Sequence, residues 1–307
     1  MLSKIKQTLF RPLGGFVPAS VKDFFSRINK SLWKLAIVII ILASVITIYN
    51  EAMYWLSGSG DYYSDEIVAE EVDSDCNIVA LELHGQLLTY LPPENIDEEG
   101  NIIADQTASE TILAGLSSAE DDPTIKGIFL EVDSYGGSPV AGEEIAKALK
   151  KVSKPTVVLI REGGASGAYL AATGADKIFA SANSDVGGIG VTMSYLGSSG
   201  DYSDTGLVYN NLSAGRFKDA GNPEKPLTAE ERRLLMRDVN IIHDNFIATV
   251  AQNRHLDIAK VRELADGSTM LGQMALDNGL IDAIGSYDEA FEYLKETIGE
   301  EVSLCWW

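Results

Sequence analysis

Short apolar segments alternate with amphipathic segments between residues 77 and 180, and this alternation limits the folds open to the chain. The apolar segments are four to seven residues long and end at glycines or polar turns, which is typical of buried strands. Strands that alternate with helices predict right-handed βαβ units, so we expect one α/β domain with a mainly parallel sheet. The predicted strands are Asn77–Leu83, Gly127–Val132, Pro155–Ile160, Lys177–Ala180 and the strand-like Leu207–Leu212, and the predicted helices are Thr107–Ala119, Val140–Val152, Ser166–Thr173, Thr228–Gln252, Ile258–Ala265, Gly272–Asn278 and Tyr287–Thr297.

Charge is divided unevenly along the chain. Residues 1–34 contain seven Lys and Arg residues and one Asp, a net charge of +6. The whole chain of 307 residues carries −21, so the remainder carries −27. An acidic body of this kind repels nucleic acid, and we therefore exclude DNA and RNA as partners.

An uncharged apolar run follows the basic segment. Leu35–Ile48 has no charged residue, and apolar and aromatic neighbours extend it over residues 32–56. This is near the roughly 20 residues that a membrane-spanning helix needs. The basic flank predicts a single-pass protein of the cell (inner) membrane, with a cytoplasmic N-terminus and an extracytoplasmic body. A cleaved signal peptide and a buried core helix are the alternatives, but the basic lead is long and no small-x-small cleavage site follows closely.

These features divide the chain into five segments. We expect a basic cytoplasmic segment over residues 1–31, a transmembrane anchor over 32–56, an acidic linker over 57–75, a folded domain over 76–299 and a tail over 300–307. Cys76 and Cys305 lie at the two ends of the exported body, where a disulfide is possible in an oxidising compartment. Two cysteines fix no disulfide framework, so their pairing stays open.

Two glycine-rich turns, at residues 133–139 and 162–168, each lie between a predicted strand and a predicted helix. In open α/β sheets, ligands bind beyond the carboxyl ends of the strands. Glycines there let the backbone approach a substrate, and free amides can bind an oxyanion. Ordinary tight turns are the alternative, because glycine is common in them. Neither turn spells G-x-G-x-x-G, and no H-E-x-x-H or Cys/His cluster occurs, so we expect neither a cofactor nor a metal ion.

Ser166 stands in the second turn as Gly-Ala-Ser-Gly-Ala, close to the G-x-S-x-G pattern of esterase nucleophiles. An esterase-type triad needs a histidine, but the histidines lie at a strand end and around the long helix without an obvious partner. They are His84, His243 and His255. A lysine can serve as the base of a serine nucleophile if burial lowers the pKa of its amine. Lys218 is one of five lysines after Ser166, although an exposed lysine paired with Asp219 is the simpler interpretation of its pattern.

Four stretches carry a more specific pattern. They are GIFLEVDSYGGSPV, GGASGAYLAATGADKIFASANSDVGGIGV, SAGRFKDA and LADGSTMLGQMALDNGLIDAIG. With them the sequence resembles the signal peptide peptidase A family, serine–lysine peptidases of the Clp protease/crotonase-like superfamily. The resemblance covers roughly residues 77–297, and the 52-residue spacing from Ser166 to Lys218 is similar to that of the short, single-domain members.

The resemblance implies a serine endopeptidase. Ser166 would be the nucleophile, Lys218 the general base, and the backbone N–H groups of Gly137 and Gly167 the oxyanion hole. Short members of the family form dome-like rings, so the resemblance also implies a homo-oligomer in which the dyad is shared between protomers. It implies hydrophobic peptide substrates, such as the remnants of cleaved signal peptides, and a ring mouth that faces the membrane.

Two departures lie close to the implied site. Ala168 follows Gly167 where the family usually has a second glycine. Tyr135 replaces the proline that the family has in the first turn, and we expect its ring to narrow the substrate pocket.

A third departure concerns the base. Gly188 stands where the family often has a serine that hydrogen-bonds the lysine, so we expect water, Ser184 or Asp185 to orient Lys218 instead. Two further hypotheses stay open on the same fold: a crotonase-like acyl-CoA enzyme, which needs no lysine and no export, and a catalytically inactive membrane scaffold.

Overall fold

The structure, a computed structural model, describes residues 44, 76–92, 105–198 and 208–307. The predicted anchor and acidic linker therefore lie outside the described residues, apart from Ser44. Within the described part of the chain, no helix combines the length and the apolar character needed to cross a bilayer.

Strands and helices alternate along the described domain. The strands are β1 (Ile78–Leu88), β2 (Gln106–Ala108), β3 (Gly127–Gly137), β4 (Thr156–Ala165), β5 (Lys177–Ala180), β6 (Asp185–Gly187), β7 (Thr269–Leu271), β8 (Ala283–Ile284) and β9 (Leu304–Trp306). The helices are α1 (Ser109–Asp121), α2 (Pro139–Lys151), α3 (Gly167–Ala172), α4 (Ala229–Asn253), α5 (Ile258–Leu264), α6 (Gly272–Asn278) and α7 (Tyr287–Ile298).

The strands form one sheet in the order β2-β1-β3-β4-β5-β8, and all neighbours in this order are parallel. Off this path, β9 pairs in parallel with the start of β1, and β6 pairs in parallel with β4 and antiparallel with β7. The predicted α/β class with a mainly parallel sheet is confirmed. The parallel arrangement brings the carboxyl ends of β1, β3 and β4 to one edge, where both glycine-rich turns lie.

Apolar side chains are buried on both faces of the sheet, which explains why the central strands read as nearly continuous apolar runs. Leu130 and Val158 point into the larger core, which also contains residues of α1, α2 and α3. Phe129 and Val157 point into a smaller core with Leu294 of α7. The long helix predicted to start at Thr228 is confirmed as α4, and it opens with a capping box in which Thr228 and Glu231 exchange side-chain and backbone hydrogen bonds.

Two segments differ from the sequence expectation. Residues 208–212 form no strand, and the side chains of Val208 and Leu212 are 76% and 98% exposed, so no packing holds them in a sheet. At the C-terminus, residues expected in a tail form β9 along the edge of β1. Cys76 and Cys305 are joined in a disulfide with a Cα–Cα distance of 5.7 Å, which ties β9 to the beginning of β1.

Candidate active site

Ser166 lies at the turn between β4 and α3 and has an unusual backbone conformation. Its φ is 52° and its ψ is −127°, and only His255 shares a positive φ among the described non-glycine residues. Such a conformation costs free energy and persists only where neighbouring structure enforces it. Here the N–H of Ser166 donates to the carbonyl oxygen of Gly187 at 2.8 Å, and its carbonyl oxygen accepts from Leu170 N–H at 2.9 Å. A strained strand-to-helix turn of this kind exposes a nucleophilic hydroxyl.

The first glycine turn packs directly against Ser166. A Cβ atom built on Gly136, whose φ is +94°, would lie 2.7 Å from the amide nitrogen of Gly167. A Cβ atom built on Gly167 would lie 3.4 Å from the amide nitrogen of Gly137. The two amides predicted to form the oxyanion hole, those of Gly137 and Gly167, are thus brought together beside Ser166. Donors at this place can stabilise the negative charge that develops on a carbonyl oxygen under attack.

Side chains at the end of β3 hold the first turn in place. Ser134 Oγ donates to the carbonyl oxygen of Gly85 at 2.6 Å and accepts from the N–H of Gly136 at 3.0 Å. Asp133 Oδ1 accepts from the N–H of Gly163 at 3.1 Å, which links this turn to β4. The first glycine turn is therefore held by a hydrogen-bond network that sequence patterns alone did not reveal, because its partners lie up to 49 residues apart.

A hydrogen-bonded bridge crosses the site on the side of β6. Asp185 accepts from the Tyr135 hydroxyl at 3.2 Å with Oδ2 and from the Thr269 hydroxyl at 3.2 Å with Oδ1. The Tyr135 ring lies over Gly163, where an added Cβ would be 2.9 Å from the ring. Partial burial, followed by the hydrogen bond to Asp185, raises the pKa of Tyr135. Tyr135 therefore forms a fixed wall next to Gly136.

Ser184 and Asp185 are expected to orient Lys218 in place of the serine that the family often has at position 188. The two side chains differ in whether their polar atoms are free to do so. Ser184 is buried, and its hydroxyl donates to the carbonyl oxygen of Arg161 and accepts from Ser181 N–H at 3.1 Å. Asp185 is half-buried and reaches the surface of the site. Gly188 itself has a φ of +56°, and a Cβ on it would be 3.3 Å from the nitrogen of Ser166.

Lys218 lies in a turn before α4 and is exposed. Its N–H donates to the carbonyl oxygen of Gly215 at 3.1 Å. Among the described residues, the side chains of Lys218 and Ser166 make no hydrogen bond or ion pair with each other or with any third residue. The interpretation that Asp219 pairs with Lys218 is wrong for this structure, because the Asp219 carboxylate contacts Lys225 at 3.5 Å instead.

The histidines do not contact Ser166. His84 Nε2 lies 3.1 Å from Glu131 Oε1, and His243 Nε2 lies 3.3 Å from the carbonyl oxygen of Ile189. In the described part of the chain, no group of three or more His, Cys, Asp and Glu side chains has the arrangement of a metal site.

A cavity of about 540 Å³ opens beside the first glycine turn. Its lining includes Tyr135 and Gly136, together with the acidic side chains of Asp105, Asp133 and Glu162. The arrangement as a whole defines a class: an α/β protein with a strained serine at a strand–helix turn and a glycine-rich turn packed beside it.

Comparisons with known proteins agree with this class. The sequence model of Peptidase family S49 matches residues 148–301, and that of Clp protease matches residues 94–186. An Enterococcus faecium protein assigned as a signal peptide peptidase SppA is 33% identical over 241 residues, which are 76% of this chain and 68% of that protein. A Methanocaldococcus jannaschii protein assigned as a protease is 36% identical over 59% of each chain. A ClpP1 mutant from Listeria monocytogenes is similar in structure with a TM-score of 0.44 and 14% identity, covering 72% of this chain and 97% of that one.

The chain therefore belongs to peptidase family S49 and is a serine peptidase. The family resemblance noted from the sequence is confirmed by the family model and the sequence relatives.

Proposed function

We propose that this protein is a membrane-anchored endopeptidase in which Ser166 is the nucleophile, Lys218 the general base, and the amides of Gly137 and Gly167 the oxyanion hole. The observation that carries the proposal is the strained Ser166 turn, packed against the glycine turn that supplies the second amide. A serine peptidase needs an accessible serine hydroxyl, with N–H donors directed at the oxyanion that develops on the substrate carbonyl.

The proposed reaction proceeds through an acyl-enzyme. Ser166 Oγ attacks the peptide carbonyl carbon while Lys218 Nζ takes the hydroxyl proton, and the carbonyl oxygen becomes an oxyanion held by the two amides. The C–N bond then breaks, and the leaving amine receives the proton from Lys218. Water attacks the resulting ester with Lys218 again as base, which releases the acid and restores the Ser166 hydroxyl. No cofactor or metal ion takes part in this scheme.

A lysine acts as a general base where its surroundings disfavour the charged amine, whereas Lys218 is exposed to solvent in a single protomer. Large apolar side chains stand exposed near Lys218 in sequence: Val208 at 76% and Leu212 at 98%, with Leu196 at 94% on the preceding segment. We propose that these segments pack against a second copy in a homo-oligomeric ring. The neighbour would desolvate Lys218 and share the dyad.

The proposed substrates are hydrophobic, membrane-associated peptides such as remnant signal peptides. One support is the similarity to the E. faecium protein assigned as a signal peptide peptidase. The other is the apolar run over residues 32–56, which is predicted to anchor the protein in the membrane. The same run, with its basic flank, supports a single-pass location in the cell (inner) membrane with the peptidase domain on the extracytoplasmic side. Reporter fusions after residue 31 and after residue 307 test this topology, and a cytoplasmic C-terminal reporter contradicts it.

Two substitutions test the dyad. We expect Ser166→Ala and Lys218→Ala each to abolish cleavage of casein or of a signal-peptide substrate, whereas Lys260→Ala, at an exposed lysine of α5, leaves it unchanged. Full activity in either dyad variant contradicts the proposal. Mixing the two inactive proteins under conditions that exchange subunits tests the shared dyad, because activity returns only if Ser166 of one protomer meets Lys218 of another.

A further inference from the structure

The carboxylate next to the proposed base is surrounded by hydrogen-bond donors. Asp219 is only 16% exposed at its side chain, and four groups converge on its two oxygens. The donors are Tyr209 Oη (3.0 Å), Asn211 Nδ2 (2.8 Å), Asn222 Nδ2 (2.9 Å) and Lys225 Nζ (3.5 Å). We name this group the Asp219 cluster.

Other charges of the loop and of the first turn of α4 form ion pairs. Arg216 lies 2.6 Å from Glu230, and Lys225 contacts Glu231 as well as Asp219. Besides Lys218, the charged residues of positions 215–231 are Arg216, Asp219, Glu224, Lys225, Glu230 and Glu231. Lys218 takes part in none of the ion pairs of the described residues, although a carboxylate follows it in sequence.

A carboxylate beside an ammonium group favours the charged form of the amine and raises its pKa by about 1–3 units. Such a pair would remove the free amine that a general base must supply. The donors occupy the lone pairs of Asp219 and direct its oxygens toward Tyr209, Asn211 and Asn222. Hydrogen bonds also lower the pKa of Asp219, and the bond from Asn222 has the largest effect. The carboxylate therefore stays ionised and bound to its donors.

We infer that the Asp219 cluster holds the Asp219 carboxylate away from Lys218 and so leaves the amine free to accept the proton of Ser166. Asp219 is in this sense a positioning residue, and the inference rests on the proposed function. The hydroxyl and amide donors of the cluster then affect the reaction indirectly, through the position of the Asp219 carboxylate.

The test uses the full chain and measures the rate at which a fluorophosphonate probe labels Ser166, as a function of pH. In Tyr209→Phe/Asn222→Ala the two donors to Oδ1 are lost while the carboxylate remains. We expect the apparent pKa of labelling to rise by about one unit, so that the rate at neutral pH falls about tenfold. Adding Asp219→Asn to this variant removes the charge, and we expect it to restore the original pH profile.

Two further variants separate this effect from damage to the loop. Arg216→Gln/Glu230→Gln removes an ion pair between the same loop and α4 without touching the cluster or changing the net charge, and its pH profile should match that of the unaltered protein. Asn211→Ala removes one donor to Oδ2 and is the milder version, with a smaller shift in the same direction.

An unchanged profile in both Tyr209→Phe/Asn222→Ala and Asn211→Ala overturns the inference. So does a triple variant that stays as slow as the double variant, because a disordered loop is not repaired by removing a charge. If Lys218→Ala is still labelled with the same pH dependence, the proposed function itself fails. Loss of labelling in Lys218→Ala with unchanged profiles in the cluster variants sinks only the inference about Asp219.

Discussion

A Cβ atom on Gly136 would come within 2.9 Å of the Cβ atom of Ser166. The two glycine turns are therefore packed backbone to backbone across the proposed nucleophile. The φ of +94° at Gly136 is a second reason for glycine at this position, since residues with a side chain rarely adopt it. The lack of room for a Cβ atom and the positive φ thus both require glycine at position 136.

Gly136→Ala should consequently displace the Gly167 amide and weaken the proposed oxyanion hole. Removing one oxyanion donor typically costs about 100-fold to 1000-fold in kcat, and we expect a loss of that order. Gly299→Ala is the matched control, because Gly299 has a φ of +76° but nothing within 4 Å of an added Cβ. The control should cost about 1–2 kcal/mol of stability and leave kcat unchanged. Peptide cleavage kinetics and urea denaturation of both variants provide the measurement.

Tyr135 offers a prediction about specificity. Its ring covers Gly163 and adjoins Gly136, and its hydroxyl is tied to Asp185. We expect Tyr135→Ala to raise kcat/KM for bulky over small side chains near the cleavage site by about tenfold, because the wall of the pocket is removed. Tyr135→Phe keeps the ring and should leave that ratio nearly unchanged. An unaltered ratio in Tyr135→Ala would place the ring outside the path of the substrate.

Local pattern predicted much of this architecture. The alternation of apolar strands with amphipathic helices predicted the parallel sheet, and the helix predicted from Thr228 matches α4, whose N-cap is Thr228. Patterns of this kind depend on neighbours within a few residues, which the sequence displays directly. The glycines of the two turns were found for the same reason.

Contacts between distant segments were not predictable in this way. The Tyr135–Asp185 hydrogen bond joins residues 50 apart, and the Asp185–Thr269 bond joins residues 84 apart. Adjacency in the sequence made an ion pair with Asp219 the simpler alternative interpretation of Lys218. The folded loop instead brings four other groups to the Asp219 carboxylate. They belong to Tyr209, Asn211, Asn222 and Lys225.

The disulfide between Cys76 and Cys305 closes a loop across nearly the whole domain, with a sequence separation of 229 residues. A cross-link of this length restricts the unfolded chain strongly, and typical disulfides contribute about 2–4 kcal/mol. We expect Cys76→Ser/Cys305→Ser to lose about that much free energy of unfolding in urea. The unaltered protein in a reducing agent should reproduce the loss. Because β9 pairs with the start of β1, at the opposite end of the strands from Ser166, kcat below the unfolding temperature should not change.

Glu231, in the first turn of α4, forms an acid-sensitive ion pair with Lys225 of the preceding loop. Hydrogen bonds from Lys225, and then from Thr228, lower the pKa of Glu231 from 4.5 to about 2. A carboxylate whose pKa is lower in the folded state than in the unfolded state stabilises the fold above the unfolded value, and this contribution disappears as the pH falls from about 4.5 to about 2. Glu231→Gln should therefore lower the urea midpoint at pH 7, and the difference from the unaltered protein should shrink steadily below pH 4.5.

Two variants of the same turn calibrate that measurement. Thr228→Ala removes the N-cap of α4 and should cost about 1 kcal/mol at pH 7. Glu230→Gln removes a charge one residue earlier, where the carboxylate forms only a solvent-exposed pair with Arg216, and should change stability by less than about 1 kcal/mol. A Glu231→Gln deficit that persists undiminished at pH 2 would mean that the side chain acts through packing. A deficit that vanishes at pH 2 would mean that the side chain acts through its negative charge, which pairs with Lys225.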